Sequence, residues 1–246
     1  MPAIVVDPAR EEAELVEYLG DAYDRDRLVH YARTLETEAE QAPDEGALYR
    51  TSEAYLYNLT AFAMTQTKAP YLATLARAVP PGGRLLDYGC GIGSDGLALM
   101  EAGYRVAFAD FDNPSVRYLR WRLERRGLEA EIYDLDRDEI PSGFDLAYAF
   151  DVIEHVDDPF AFLAALERAA RLVLVNFLEE DEDDTQLHRS LPIGALVGHA
   201  ARHGLRRYRR FHGGRSHLVL YEPRATGVPV RAKSLAQLVR GRLPVG

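Results

Sequence analysis

Residues 84–178 alternate short apolar runs with stretches of helical periodicity, and this alternation constrains the fold more than any other feature. The apolar runs are RLLDYG, RVAFAD, EAEIYD, FDLAYAFD and RLVLVNF. Strands that are separated by helices predict βαβ units and a mostly parallel sheet. The sequence therefore predicts an α/β, doubly wound fold.

The two ends of the chain show other patterns. Apolar residues recur at three- and four-residue steps over residues 10–40, which predicts helix with a break at Gly20. Further helices are predicted from Leu48 to Phe62 and from Tyr71 to Val79. The stretch RRYRRFHGGRSHLVLYEP near the other end predicts two strands joined in an antiparallel hairpin.

Composition restricts the classes of function. The chain has 246 residues and a net charge of −10, which argues against a nucleic-acid substrate. No apolar run approaches the roughly 18 residues of a membrane span, so we expect no membrane contact. No basic region precedes the short N-terminal apolar patch, so we expect no secretory signal. The single cysteine, Cys90, excludes an intrachain disulfide and a multi-cysteine metal site. We expect a cytoplasmic protein.

The most informative stretch is LLDYGCGIG, residues 85–93, which leads from a strand through a glycine-rich turn into a helix predicted from Ser94 to Glu101. Glycine allows a sharp turn and the close approach of a ligand, and N–H groups at a helix start favour polar or anionic groups. The spacing is G-x-G-x-G, whereas dinucleotide enzymes have G-x-G-x-x-G. Asp87 also favours a ligand with a positive amino group over a pyrophosphate. A nicotinamide-cofactor loop stays an alternative at this point.

Acidic residues also end the following strands. Asp110 follows the second apolar run, where a carboxylate can accept hydrogen bonds from both hydroxyls of a ribose. Asp134 and Asp151 end the third and fourth runs. Ligands of open α/β sheets bind outside the carboxyl ends of the strands, so these acids lie where a ligand is expected.

Taken together, LLDYGCGIG, VAFADFD, YDLD and FDLAYAFDVIEHVDDP resemble the successive motifs of class I S-adenosylmethionine (SAM)-dependent methyltransferases, over roughly residues 70–223. The resemblance implies SAM as cofactor and a seven-stranded sheet. It implies that the methionine part is lined by Asp87, Gly89, Cys90 and Gly91. It implies that Asp110 binds the ribose, that Phe111, Asp134 and Leu135 lie at the adenine, and that Phe150 and Asp151 lie beside the amino group and the transferred methyl.

The catalytic and substrate residues are less well defined by the sequence. His155 and His188 are the candidate general bases, although His155 also fits a packing role near the cofactor. Added N-terminal helices in this family often cover the active site, and the face of a tyrosine attracts a sulfonium. We therefore expect Tyr57 to lie near the substrate.

Two charged clusters allow more than one interpretation. The acidic run of residues 179–184 is either a solvated loop or a substrate flap that favours a cationic acceptor. Asp151 and Asn176 end adjacent strands and could hold magnesium, but no metal is predicted because Val175 stands where a further acid is needed. The arginines of the hairpin form either a charged sheet edge or a nucleic-acid contact.

The sequence thus predicts a SAM-dependent enzyme that methylates an oxygen or nitrogen of a small molecule. Its expected parts are a helical lid over residues 1–70, a cofactor-binding domain over 71–223 and a basic tail over 224–246. An enzyme acting on RNA or on a protein side chain, and a non-catalytic SAM-binding subunit, are the alternatives. A short helix predicted from Leu235 to Arg240 could dock on a neighbouring chain, so a homo-oligomer stays open.

Overall fold

The computed structural model describes residues 4–41, 50–179, 189–225 and 228–241. They divide into two compact units. The first falls within Met1–Gly82 and Gly89–Glu139, and the second within Gly83–Tyr88 and Ile140–Gly246. The predicted division at residues 70 and 223 follows the motifs and stays a prediction.

The first unit begins with helices. They are α1 (Pro8–Leu19), α2 (Arg25–Val29), α3 (Tyr31–Gln41), α4 (Ala54–Met64) and α5 (Ala69–Ala78). The helix predicted over residues 10–40 is interrupted at Gly20, as expected, and it is interrupted a second time between α2 and α3. Asp24 explains the restart, because its carboxylate accepts a hydrogen bond from the N–H of Asp26 and caps α2.

The second predicted helix is interrupted. Residues 48 and 49 lie outside the described part of the chain, residues 50 and 51 are helical, and α4 begins at Ala54 after a break at residues 52 and 53. The hydroxyl of Ser52 accepts a hydrogen bond from the N–H of Ala54, at 3.1 Å. A serine that binds its own backbone in this way competes with helix formation, so the prediction that helix runs unbroken from Leu48 was wrong.

The remaining elements of the first unit follow the glycine-rich loop. They are α6 (Ser94–Glu101), β2 (Arg105–Asp110), α7 (Pro114–Arg126) and β3 (Ile132–Asp134). Strands β2 and β3 pair in parallel, with Asp110 in register with Asp134. A buried apolar cluster packs the helices of this unit together, and it includes Leu15, Leu28, Leu56, Ile92 and Tyr118.

The second unit contains the other strands. They are β1 (Arg84–Tyr88), β4 (Phe144–Ala149), β5 (Ala170–Leu178), β6 (Leu205–Phe211) and β7 (Ser216–Tyr221), with helices α8 (Pro159–Ala169), α9 (Ile193–Arg202) and α10 (Val228–Gly241). Strand β4 runs parallel to β1 and β5, whereas β7 is antiparallel to both β5 and β6. The sheet order is β3-β2-β1-β4-β5-β7-β6. The predicted seven-stranded, mostly parallel sheet with an antiparallel hairpin is confirmed.

The basic tail forms a longer helix than predicted. Helix α10 begins at Val228 rather than at Leu235, and it packs on β6 of the same unit, where the buried hydroxyl of Ser234 accepts the N–H of Leu205 at 3.0 Å. Within the described parts of the chain, no helix is both long and apolar enough to span a membrane.

Candidate cofactor site

The glycine-rich loop has the backbone geometry that only glycine adopts easily. Gly91 and Gly93 have φ values of +52° and +72°. A Cβ at Gly91 would lie 2.8 Å from Cδ1 of Leu59, and a Cβ at Gly93 would overlap the side chain of Leu119. The loop is held to β2 by two hydrogen bonds, because the carbonyl of Ala109 accepts the N–H groups of residues 89 and 90. Both the backbone conformation and the close packing therefore favour glycine at these two positions.

Asp110 fastens this loop from the end of β2. Its two carboxylate oxygens accept the N–H of Gly91 and the N–H of Phe111, each at 2.7 Å. Burial raises the pKa of Asp110 to about 6, although the two N–H donors lower it. A carboxylate oxygen has more than one lone pair, so this group still has acceptor capacity for two further donors.

Asp134 lies at the end of the neighbouring strand and shapes the turn that follows. Its carboxylate accepts the N–H of Asp136 at 3.0 Å and lies 3.4 Å from Nε of Arg137. The N–H of Leu135 donates to the carbonyl of Asp110 at 3.0 Å. The ends of β2 and β3 thus form one hydrogen-bonded surface that carries the predicted ribose and adenine residues.

A fully buried arginine, which the sequence analysis missed, supports the glycine loop from behind. The guanidinium of Arg122 donates to the carbonyl of Ile92 at 2.9 Å and to the hydroxyl of Ser94 at 3.0 Å. It also forms ion pairs with Glu11 and Glu14 of α1. Helix α1 is therefore joined to the loop through Arg122, and it is joined to the start of α6 directly, because the hydroxyl of Ser94 donates to the carboxylate of Glu11 at 2.6 Å.

Glu14 is the acid of this network whose pKa is shifted on folding. Burial raises the pKa of Glu14, but a hydrogen bond from Arg126 and the charges of Arg122 and Arg126 outweigh it and hold the pKa below its ordinary value of 4.5. The spacings of Glu11 to Glu14 and of Arg122 to Arg126 are helical, which was the only sequence signal of this contact.

A second arginine missed by the sequence analysis lies at the ends of β2 and β3. Arg50 forms an ion pair with Asp136, and its guanidinium carbon is 4.3 Å from the centroid of the Phe111 ring. The partners are 86 residues apart in the chain, so no local pattern indicates the contact.

The second unit holds Asp87, Phe150 and Asp151. Asp87, on β1, and Phe150 are buried, with 6% and 5% of their surface exposed. Asp151 has a φ of +57°, which is strained for a residue other than glycine. Asn176 stabilises this conformation, because its side-chain oxygen accepts the N–H of Asp151 at 2.9 Å and its amide nitrogen donates to the carboxylate at 2.6 Å. Strained residues cluster at functional sites, which agrees with a role at the end of β4.

The predicted catalytic and substrate residues stay predictions. His155 is partly exposed in a short turn, Ile153–His155, and its backbone N–H donates to the backbone carbonyl of Val152. His188 lies outside the described residues. Tyr57 is 1% exposed; its hydroxyl accepts the N–H of Asp24 at 2.9 Å and donates to the carbonyl of Ala22 at 3.3 Å. The hydroxyl of Tyr57 thus links α4 to the chain before α2.

A pocket that is partly open to solvent adjoins the glycine loop within the first unit. Its walls combine apolar side chains of α4 and α5 with loop residues that include Cys90 and Ile92. Lys68 and Asp95 also line it, with 3.8 Å between their charged groups. The pocket can therefore enclose an apolar group beside polar ones.

Two arginines of the hairpin form ion pairs with acids of the same unit. On the hairpin, Arg206 pairs with Glu222, and Arg210 lies 3.7 Å from Glu179, which belongs to the acidic run. The rest of that run lies outside the described residues. No group of three or more potential metal ligands occurs among the residues that the structure describes.

Comparison with known proteins decides the family. The family described as "Methyltransferase domain" matches residues 63–224. The chain belongs to the methyltransferase family. This match covers all four motifs, and it confirms the predicted methyltransferase family.

Curated relatives match part of this methyltransferase. A protein named ubiquinone biosynthesis O-methyltransferase from Xanthomonas campestris is 30% identical over 108 residues, which are 42% of this chain and 44% of the relative. A protein of the same name from Idiomarina loihiensis is 29% identical over 94 residues, 37% and 39% of the two chains. The chain spans less than half the length of these relatives.

Solved structures share the fold of the methyltransferase. One is the magnesium protoporphyrin IX methyltransferase of Synechocystis, solved with bound S-adenosylhomocysteine (SAH). It superimposes with a TM-score of 0.55 at 15% identity, over 68% of this chain and 86% of the other. The PH0226 protein of Pyrococcus horikoshii gives a TM-score of 0.54 at 16% identity, over 70% and 92%. These likenesses confirm the Rossmann-like methyltransferase fold.

Proposed function

We propose that this protein transfers the methyl group of SAM to an oxygen or nitrogen of a small-molecule acceptor. The observation that carries the proposal is the geometry of Asp110, whose carboxylate fastens the glycine loop and keeps acceptor capacity at the end of β2. The matched relatives are named as O-methyltransferases, which favours oxygen as the acceptor atom.

Each motif residue has a proposed role. Asp110 accepts the ribose hydroxyls, and Phe111, with Asp134 and Leu135, binds the adenine. The methionine part is bound by Asp87 and by the backbone of residues 89–91. Phe150 and Asp151 adjoin the amino group and the methyl; the strained backbone of Asp151 supports this assignment.

Methyl transfer from SAM requires the protein to align the acceptor with the methyl group and to remove a proton from the acceptor. SAM, when bound, supplies an electrophilic methyl on a sulfonium, and its leaving group is neutral. The residues of the site must hold the acceptor in line with that methyl and exclude water. An alcohol or a protonated amine also needs a base, and His155 is the candidate within the described residues.

We propose that the acceptor is a metabolite rather than a nucleic acid. The net charge of −10 disfavours polyphosphate binding, and the hairpin arginines Arg206 and Arg210 contact acids of their own chain. The pocket beside Cys90 has the mixed apolar and polar lining of a small-molecule site. An RNA or protein acceptor is the alternative, and a cytoplasmic location stays a prediction.

Methyl transfer from SAM with a tritium-labelled methyl group tests this proposal. The acceptor panel should contain cationic small molecules, phenols, bulk tRNA and a mixture of denatured proteins, each with wild type and with Asp110→Ala. We expect label in a small molecule with wild type only. Label in tRNA or protein alone would contradict the acceptor class, and equal label with Asp110→Ala would contradict the assigned site.

A further inference from the structure

Arg50 joins the two strand ends to which the proposed function assigns the adenine. Its guanidinium contacts both carboxylate oxygens of Asp136, with 3.1 Å between Nη2 and Oδ1. The same group lies over the ring of Phe111, 4.3 Å from the centroid. Phe111 directly follows β2, and Asp136 is two residues beyond β3. The side chain of Arg50 therefore contacts both the residue that follows β2 and the turn that follows β3.

The residues that Arg50 touches are bonded to those with proposed cofactor roles. The N–H of Asp136 donates to the carboxylate of Asp134, and the N–H of Leu135 donates to the carbonyl of Asp110. Removing Arg50 would release the turn after β3 and the ring of Phe111 together. It would leave the bonds between Asp110 and the glycine loop in place.

The contacts of Arg50 suit a reversible closure. The side chains of Arg50 and Asp136 are 44% and 46% exposed, and an exposed ion pair adds little to the stability of a fold. A planar guanidinium that stacks on a ring while it bonds a carboxylate nevertheless fixes the geometry of both. The contact can thus order a binding surface without being needed for folding.

We propose that Arg50 is a positioning residue for the adenine part of the cofactor, which holds Phe111 and the turn at Asp134–Asp136 in place and slows cofactor release. This inference rests on the proposed function. No contact described for Arg50 involves the residues assigned to the methionine or the methyl. Its loss therefore weakens cofactor binding without changing the transfer step.

The Arg50→Ala variant is expected to fold. The segment beside Arg50 is anchored separately, because the hydroxyl of Ser52 donates to the carboxylate of Glu38 at 2.6 Å, and the same carboxylate pairs with Arg27 at 2.6 Å. Neither contact involves Arg50. A matched control is Arg33→Ala, which removes an exposed arginine from α3.

The test is the affinity and release rate of SAH, measured by calorimetry and by stopped-flow dissociation. We expect Arg50→Ala to raise the Kd by about three- to tenfold, mainly through faster release, as loss of one exposed bidentate pair and one cation–π contact implies. The Tm of the free protein should stay unchanged, and the increase in Tm on adding SAH should shrink. Arg50→Lys, which keeps the charge opposite Asp136 but not the planar face, should restore part of the affinity.

Three results would overturn the inference, and they can be told apart. If Arg50→Ala matches wild type and Arg33→Ala in Kd and release rate, while Asp110→Ala binds weakly, Arg50 has no positioning role and the proposed function stands. If wild type does not bind SAH, the proposed function and the inference fail together. A fall in the Tm of free Arg50→Ala with an unchanged Kd would assign Arg50 to stability alone.

Discussion

Replacing Arg122 by leucine should strongly destabilise the protein, because the guanidinium is fully buried between acids. Its side chain is 0% exposed, and it bonds the carboxylates of Glu11 and Glu14, the carbonyl of Ile92 and the hydroxyl of Ser94. Leucine would leave both carboxylates buried with less compensating charge. Breaking a buried ion pair by removing one partner costs about 3–5 kcal/mol. For a chain of this length each kcal/mol lowers the Tm by about 2–4 °C, so we expect a fall of about 6–20 °C.

Equilibrium urea unfolding followed by far-UV circular dichroism measures this loss. The matched control is Arg120→Leu, which removes an exposed arginine from the same helix and should change the free energy of unfolding by less than about 0.5 kcal/mol. A loss of less than about 1 kcal/mol for Arg122→Leu would equal that of a surface pair and would refute the reasoning.

Three further predictions concern the loop and the titrating acids. If Asp110 binds the ribose as a carboxylate, SAH affinity should fall by up to about tenfold for each pH unit below about 6, and Asp110→Asn should show no such dependence in calorimetric titrations. Gly93→Ala should lower the free energy of unfolding by about 2–5 kcal/mol, because its left-handed backbone costs about 1–2 kcal/mol and the overlap of its Cβ with Leu119 about 1–3 kcal/mol more. Gly127→Ala, which has nothing within 4 Å, should lose only the backbone part of about 1–2 kcal/mol; urea unfolding compares the two variants. Because the pKa of Glu14 is lowered on folding, its ion pairs stabilise the protein above pH 4.5, and that contribution is lost as the pH falls through the lowered pKa. Urea unfolding at pH 3–7 should therefore show that the difference in free energy of unfolding between wild type and Glu14→Gln shrinks in acid.

The elements that the sequence predicted well are those with a strong local signal. The helix Ser94–Glu101 has the predicted bounds, because the glycine turn ends the preceding strand and fixes its start. The hairpin was predicted from two strand-like runs joined across His212-Gly213-Gly214-Arg215, and His212–Gly214 form its turn. The four motifs identified the family because their order and spacing reflect strands of one sheet.

The elements that the sequence predicted poorly depend on contacts between distant residues. The break before α4 at Ser52 reflects one hydroxyl that accepts a nearby backbone N–H, which competes with a helical pattern that looks continuous in the sequence. Arg122 and Arg50 contact partners 111 and 86 positions away, and both resemble ordinary surface arginines in the sequence. Only the folded chain distinguishes a fully buried guanidinium from an exposed one.

The most direct test of the assigned cofactor site is calorimetric titration with SAH of wild type, Asp110→Ala and the exposed neighbour control Asp112→Ala. We predict micromolar binding to wild type and to Asp112→Ala. Binding to Asp110→Ala should be weaker by about tenfold or more, as loss of hydrogen bonds to a charged group implies. Equal affinity of Asp110→Ala and wild type, or no binding to wild type, would contradict the account.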